Sequence, residues 1–141
     1  MAEAPAQIVL VEDNPGDVHL IRLALRQAGV ACEVRVLKDG EEGMALARRQ
    51  DAHADLVPDL IVLDLNLPKH DGLEVLAALR AEPVLATVPV LVFSSSTSPR
   101  ERARAEELGA VGFLAKPPDL DAFLAVGSVL KNVLQDRASQ R

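Results

Sequence analysis

Cysteine is nearly absent from this chain: Cys32 is the only one in 141 residues. No internal disulfide can form, so the fold must rest on packing, and such sparse usage fits a reducing compartment. At this length, with 49% of residues apolar, the chain can bury a core without staples, which excludes disorder. Basic charge is also in short supply. The 15 Lys and Arg are outnumbered by 21 Asp and Glu, leaving a net charge of −6. That balance argues against direct nucleic-acid binding, which needs clustered cations for the phosphate backbone. No apolar run approaches the ~20 residues of a membrane span, and Met1 to Gln7 lacks a signal-peptide layout. A cytoplasmic protein without membrane contact is expected. Internal repeats and low-complexity linkers are missing, so a single domain over 1–141 is expected, with its core at about 7–135, no output domain and frayed ends at 1–6 and 136–141.

What the chain does have is an alternation of apolar runs and amphipathic stretches. Strands are expected near Gln7–Val11, Cys32–Val36, Leu60–Leu63, Val90–Phe93 and Gly112–Leu114. Helices are expected near Pro15–Ala28, Gly40–Gln50, Gly72–Arg80, Pro99–Leu108 and Leu120 to about Gln135. Such βα units give an α/β fold, a parallel sheet covered on both faces. Local chemistry supports the boundaries. Asn14 can cap the first helix, Pro15 suits its first position, and Gly29 stops it. Asp119 or Asp121 can cap the last helix after Pro117-Pro118. No role is legible for the loop at 53–58.

The apolar runs all end in chemistry. Ile8-Val9-Leu10-Val11 runs into Glu12-Asp13, Leu60-Ile61-Val62-Leu63 into Asp64, Val90-Leu91-Val92-Phe93 into Ser94, and Val111 to Ala115 into Lys116. Open parallel sheets bind ligands beyond the carboxyl ends of their strands. Each residue alone has a plainer reading. Glu12-Asp13 can be a solvated loop, Asp64 a turn former, Ser94 one of five hydroxyl residues in the loop Ser94 to Ser98, and Lys116 a surface lysine. Together they supply carboxylates for a hard divalent cation such as Mg²⁺, a carboxylate nucleophile able to attack phosphorus, a hydroxyl donor, and a compact ammonium for a phosphoryl oxygen. A cis bond at Lys116-Pro117 is expected to aim that ammonium into the site.

The motifs Val9-Leu10-Val11-Glu12-Asp13, Leu63-Asp64-Leu65-Asn66-Leu67-Pro68 with Asp71-Gly72, Ser94, and Gly109-Ala110 leading through Phe113 to Lys116-Pro117 resemble those of a response-regulator receiver domain of two-component signalling. Ser94 follows Asp64 by 30 residues and Lys116 follows Ser94 by 22, so the motifs also fit jointly. Val11-Glu12-Asp13-Asn14-Pro15-Gly16-Asp17 and Lys116-Pro117-Pro118-Asp119-Leu120 are similar to the stand-alone regulators of bacterial phytochrome-type histidine kinases. The resemblance implies a flavodoxin-like, doubly wound sheet of order 2-1-3-4-5 with five helices. It implies that Asp64 takes a phosphoryl group from a kinase phosphohistidine. Mg²⁺ would be held by Asp13, Asp64 and the main-chain carbonyl of Asn66, with Glu12 acting through water. Lys116 and Ser94 would contact phosphoryl oxygens. Ser94 and Phe113 would form the switch: Ser94 moves toward the phosphoryl group, Phe113 turns inward, and the surface of helix four, strand five and helix five changes.

Serine stands where many members of the family carry threonine, and tryptophan and tyrosine are both absent. A tyrosine hydroxyl therefore cannot read out the switch. Leu23 and Val18 on the first helix would suit a kinase docking surface, or are scattered surface apolar residues. Output would come from a downstream protein or a phosphotransfer protein, with a homodimer expected through the carboxyl-terminal half. The chain would catalyse only its own phosphorylation and dephosphorylation. Three rivals remain. A haloacid-dehalogenase-type phosphatase wants a second Asp where Asn66 stands. A nucleotide-binding module wants a glycine-rich loop that is missing. A degenerate receiver, acting only as a protein-interaction module, conflicts with the intact Asp13, Asp64, Ser94 and Lys116.

Overall fold

The computed structural model describes residues 4–50, 56–96 and 98–139. Part of the loop at 53–58, and Thr97 within the hydroxyl run, lie outside the described residues. Five parallel strands form one sheet in the order β2-β1-β3-β4-β5. They are β1 (Ala6–Val11), β2 (Cys32–Leu37), β3 (Leu60–Leu63), β4 (Val90–Ser94) and β5 (Gly112–Ala115). The helices are α1 (Pro15–Gln27), α2 (Gly40–Ala47), α3 (Gly72–Ala81), α4 (Pro99–Glu107), α5 (Leu120–Leu124) and α6 (Val126–Ser139). The order and the doubly wound arrangement agree with expectation. The last helical connection does not run straight, because it breaks at Ala125 into α5 and α6. Regular structure also extends past the expected core: Ala6 pairs with Cys32 in the sheet, and α6 continues to Ser139.

The two-residue side-chain period of the strands sorts the core into two layers. Val9, Val11, Ile61, Leu63, Val90 and Val92 face one side and pack with Leu46, Val75, Leu76, Leu79 and Ala105. Ile8, Leu10, Leu60, Val62, Leu91 and Phe93 face the other and meet Ile21, Ala24, Leu25, Phe123, Val126 and Leu130. Both faces of β3 and β4 are buried at every position, which is why these strands read as unbroken apolar runs rather than alternating ones. Phe93 and Phe123 meet edge to face with centroids 5.1 Å apart, a pairing worth about 0.5–1.5 kcal/mol beyond its burial. It fastens α5 to the strand that ends in Ser94. Farther on, Gly127 lies so close to α1 that an added Cβ would fall on the Ala24 carbonyl.

Register brings the strand ends level. Val11 aligns with Leu63, Leu63 with Val92, and Ser94 with Ala115. The next residues in three strands, Glu12, Asp64 and Lys116, therefore emerge at one edge beside Ser94. Among the described residues, no helix is long and apolar enough to cross a membrane.

Candidate functional site

Each strand end is fixed by backbone before its side chain matters. The Glu12 N–H donates to Leu37 O at 2.9 Å, the Asp64 N–H to Val11 O at 3.0 Å, and the Lys116 N–H to Ser94 O at 2.8 Å. The segment after Asp64 is held by α3: the Gly72 N–H donates to Leu65 O at 3.0 Å. A Cβ at Gly72 would lie 2.5 Å from both the Asp64 carbonyl oxygen and the Leu65 Cα. Only glycine permits this approach. Asp71 caps the same helix, accepting from the Leu73 N–H at 2.7 Å. The turn motif read from the sequence thus seats α3 under the Asp64 loop.

The side chains converge. Among the described residues, Glu12, Asp64 and Ser94 are the buried polar ones, at 2%, 4% and 0% exposure. Asp13 is exposed, yet its carboxylate and those of Glu12 and Asp64 offer oxygens within 4.8 Å of one another. An all-oxygen, partly solvated donor set of this kind fits Mg²⁺ or another hard divalent cation. The Lys116 ammonium donates to Glu12 Oε1 at 2.6 Å, Asp17 Oδ2 at 2.8 Å and Asp64 Oδ2 at 3.0 Å. The other Asp64 oxygen, Oδ1, accepts the Asn66 N–H at 3.1 Å, so both oxygens of the carboxylate are oriented. Asn66 Nδ2 reaches toward Ser94 Oγ at 3.5 Å and Ser95 Oγ at 3.4 Å. Ser94 Oγ also accepts the Ser96 N–H at 3.3 Å.

The electrostatics follow from crowding three carboxylates, Glu12, Asp17 and Asp64, around one ammonium. Burial pushes the Glu12 carboxyl up to about 7; the Asp64 charge adds to this and the Lys116 ammonium opposes it. Burial works against the Lys116 ammonium, but its hydrogen bonds to Asp17, Glu12 and Asp64 outweigh that and hold its pKa above the ordinary lysine value. The cluster carries excess negative charge that a divalent cation would offset.

Sequence reasoning missed Asp17. It sits in the first turn of α1, where Asn14 Oδ1 caps its N–H at 3.2 Å. An acidic residue there is ordinarily credited to the helix dipole, which hid its second role. The expectation of a cis bond needs correction. Every described peptide bond is trans, Lys116–Pro117 included; the ammonium is aimed by the β5 register and its carboxylate partners instead. Phe113 is buried, at 9% exposure, in the core layer that includes Val92 and Leu108. The Arg102 guanidinium lies 5.7 Å from its ring centroid. On α1, Leu23 is half-buried rather than exposed, and Val18 packs onto the core. A cavity of about 620 Å³ opens at the opposite, amino ends of the strands, lined by Gly29, Asp59, Lys131 and Leu134 among others, away from this chemistry.

Comparison with known proteins agrees with the geometry. Residues 8–126 match the family model of the response regulator receiver domain. The chain is 36% identical over 127 residues to response regulator Rcp1 of Synechocystis sp., covering 89% of this chain and 86% of that one. The crystal structure of the phosphorylated cyanobacterial phytochrome response regulator RcpA superposes with a TM-score of 0.85 at 37% identity, over 94% of this chain and 95% of the other. The Mn²⁺-bound form of Rcp1 gives a TM-score of 0.83 at 33% identity, over 91% and 93%. The acidic pocket of Glu12, Asp13 and Asp64 fits a divalent cation and a phosphoryl aspartate, and the chain belongs to the response regulator receiver family.

Proposed function

We propose that this protein accepts a phosphoryl group on Asp64 from the phosphohistidine of a sensor histidine kinase, in a Mg²⁺-dependent reaction, and signals through the face formed by α4, β5 and α5. The observation that carries this reading is the Lys116 ammonium 3.0 Å from an Asp64 carboxylate that shares its oxygen cluster with Glu12 and Asp13. An Asp64 oxygen attacks phosphorus, the O–P bond forms, the N–P bond to the kinase histidine breaks, and the histidine keeps the electron pair. Catalysis of such a transfer is almost entirely positioning and charge stabilisation. Asn66 fixes the nucleophile through its N–H, and Lys116 meets charge developing on a phosphoryl oxygen. Asp13, Asp64 and the Asn66 main-chain carbonyl would hold Mg²⁺, with Glu12 acting through water. The bound cation would neutralise charge on the phosphoryl oxygens and bring the nucleophile to them. This is self-modification, not turnover of a free substrate.

Phosphorylation adds about −1.5 to −2 charge and three strong acceptors. The Ser94 hydroxyl, within reach of Asn66, turns toward those acceptors and carries the β4–α4 loop with it, changing the packing of α4 on Phe113. A phytochrome-type kinase is the favoured partner, since the relatives named above include phytochrome response regulators. Val111 and Leu120, each 54% exposed, and Val129 at 37% favour a homodimer through the carboxyl-terminal half, where β5 is an edge strand paired only with β4. In the dimer, Val111→Asp is expected to yield a monomer by light scattering; an unchanged mass would remove that face from the interface. The output is a downstream protein or phosphotransfer protein, and the setting a cytoplasmic one.

The decisive test is intact-protein mass after incubation with acetyl phosphate and Mg²⁺. One added phosphoryl group is expected in the wild type, and none in Asp64→Asn or without the cation. No gain from acetyl phosphate or from a phosphorylated kinase would leave a phosphorylation-independent interaction module.

A further inference from the structure

The Lys116 ammonium has three protons to donate, and all three point at carboxylates: Glu12, Asp17 and Asp64. These partners are not equivalent. Glu12 and Asp64 belong to the oxygen cluster that suits a divalent cation; Asp17 lies outside it. A divalent cation on that cluster competes with Lys116 for the Glu12 and Asp64 charge, so it weakens two of the three contacts at the moment when the ammonium must be aimed at an incoming phosphoryl group. Asp17 alone keeps its carboxylate free of the cation.

Its own placement is firm. Asp17 is held in the first turn of α1 by the Asn14 cap and Pro15, and it comes from a different element than Glu12, Asp64 or Lys116. Its carboxylate is 2.8 Å from the ammonium, with only 23% of the Asp17 side chain and 10% of the Lys116 side chain exposed. The base of Lys116 is fixed separately, by its N–H on Ser94 O. With the main chain bonded at β4 and the ammonium bonded to α1, the side chain is held at both ends.

We propose that Asp17 is a positioning residue for phosphoryl transfer: it anchors the Lys116 ammonium from outside the metal cluster, so that the ammonium remains aimed at Asp64 when the cation binds. This rests on the phosphoacceptor reading for its purpose, but the anchor itself can be observed without phosphorylation. A consequence is that α1 becomes mechanically linked to the site. A partner that shifts the first turn of α1 also shifts the ammonium.

The test uses the full chain labelled with ¹⁵N and observes the lysine ammonium resonances directly. There are four lysines; the signal of Lys116 is the one lost in Lys116→Gln. In the wild type it is expected to be protected from exchange with and without Mg²⁺. In Asp17→Ala it is expected to survive without the cation, held by Glu12 and Asp64, and to vanish on adding Mg²⁺. Phosphorylation by acetyl phosphate at saturating Mg²⁺ should slow about tenfold in Asp17→Ala, the scale of one charge-assisted hydrogen bond misplaced. The Mg²⁺ affinity should change by less than about twofold, since Asp17 is not among the metal ligands. Asp17→Glu should recover part of the rate and Asp17→Asn less, because the anchor is a charge as well as an acceptor.

A Lys116 signal that persists in Asp17→Ala with Mg²⁺, or one already lost without it, would overturn the anchor. So would an unchanged phosphorylation rate, or a loss of thermal stability with rate and signal intact. If the wild type shows the expected ammonium behaviour but takes no phosphoryl group from any donor, the phosphoacceptor reading fails and the anchor stands.

Discussion

Glu12 offers the sharpest quantitative consequence of the site's crowding. Its carboxyl is pushed up to about 7 by burial in the cation-free protein, so at neutral pH it carries a proton about half the time. A bound cation needs it ionised, whether as a direct ligand or through water. Cation uptake must then expel that proton. With a folded-state value of about 7, the apparent affinity should fall by roughly tenfold between pH 8 and pH 6, and the protons released per cation should rise from ~0.1 to ~0.9. Isothermal titration with MgCl₂ in two buffers of different ionisation enthalpy measures both quantities. Glu12→Gln should abolish the proton release and flatten the pH dependence. Folding stability runs the opposite way with pH. Glu12 titrates above its ordinary value of 4.5 in the folded state, so its contribution is fully present below about 4.5 and is lost as pH rises through about 7. The cation-free protein should therefore lose melting temperature between pH 5 and 7.5 relative to Glu12→Gln, and Mg²⁺ should restore it. No proton release at pH 6, or an equal slope in Glu12→Gln, would refute the burial argument.

Two further substitutions test the scaffold that positions the site. Gly72→Ala adds a Cβ 2.5 Å from two backbone atoms, the Asp64 oxygen and the Leu65 Cα, neither of which can swing aside. Overpacking of this kind costs about 1–3 kcal/mol, outweighing the gain of under ~1 kcal/mol that Ala brings to a helix. The melting temperature should drop by roughly 3–10 °C, and a variant that melts with the wild type would deny the close approach. Arg80 folds back from the end of α3 and donates to the carbonyls of Ala86 and Val88 at 2.5 Å each, closing the loop that leads into β4. Arg80→Met keeps the stem but forfeits both bonds, and should cost roughly 2–4 kcal/mol by chemical denaturation. Arg80→Lys should recover less than half, because an ammonium lacks the planar fork; full recovery would show that only charge matters there.

How much of this was legible in the sequence depended on whether a feature is local. Apolar runs such as Leu60-Ile61-Val62-Leu63 stand for buried parallel strands because both faces must be covered, and the structure agrees to the residue. The caps at Asn14 and Asp119 were readable because a capping side chain bonds only a few residues ahead. The convergence of Glu12, Asp64, Ser94 and Lys116 followed from strand ends sharing one edge. Asp17 was not legible, since its link to Lys116 spans 99 residues and depends on the angle at which α1 leaves the sheet. The break at Ala125 was equally hidden. It lies where Phe123 docks on Phe93 and Gly127 on Ala24, and two tertiary anchors so close in sequence override a continuous helical pattern.

The same contacts decide which part of the fold can carry a signal away from the site. Moving α3 would expose Val75, Leu76 and Leu79, all at 0% exposure, at about 1.5–3 kcal/mol for each side chain. Moving α1 would unseat Ile21, Ala24 and Leu25 and its packing on α6. The only buried residue of α4, by contrast, is Ala105. Its exposed charges pair mostly within the helix, Arg102 with Glu106 and Arg104 with Glu107, so they travel with it. What fastens α4 to the site is Arg102 over Phe113, worth about 0.5–2 kcal/mol, and the hydroxyl-rich loop running from Ser94, in which Ser96 bonds Glu101. Charge-assisted hydrogen bonds to a phosphoryl group, at about 1.5–3 kcal/mol each, exceed the first of these attachments and act directly on the second. They fall well short of the combined burial that holds α3. On the proposed phosphoacceptor reading, a signal that starts at Asp64 would therefore leave through Ser94 and α4.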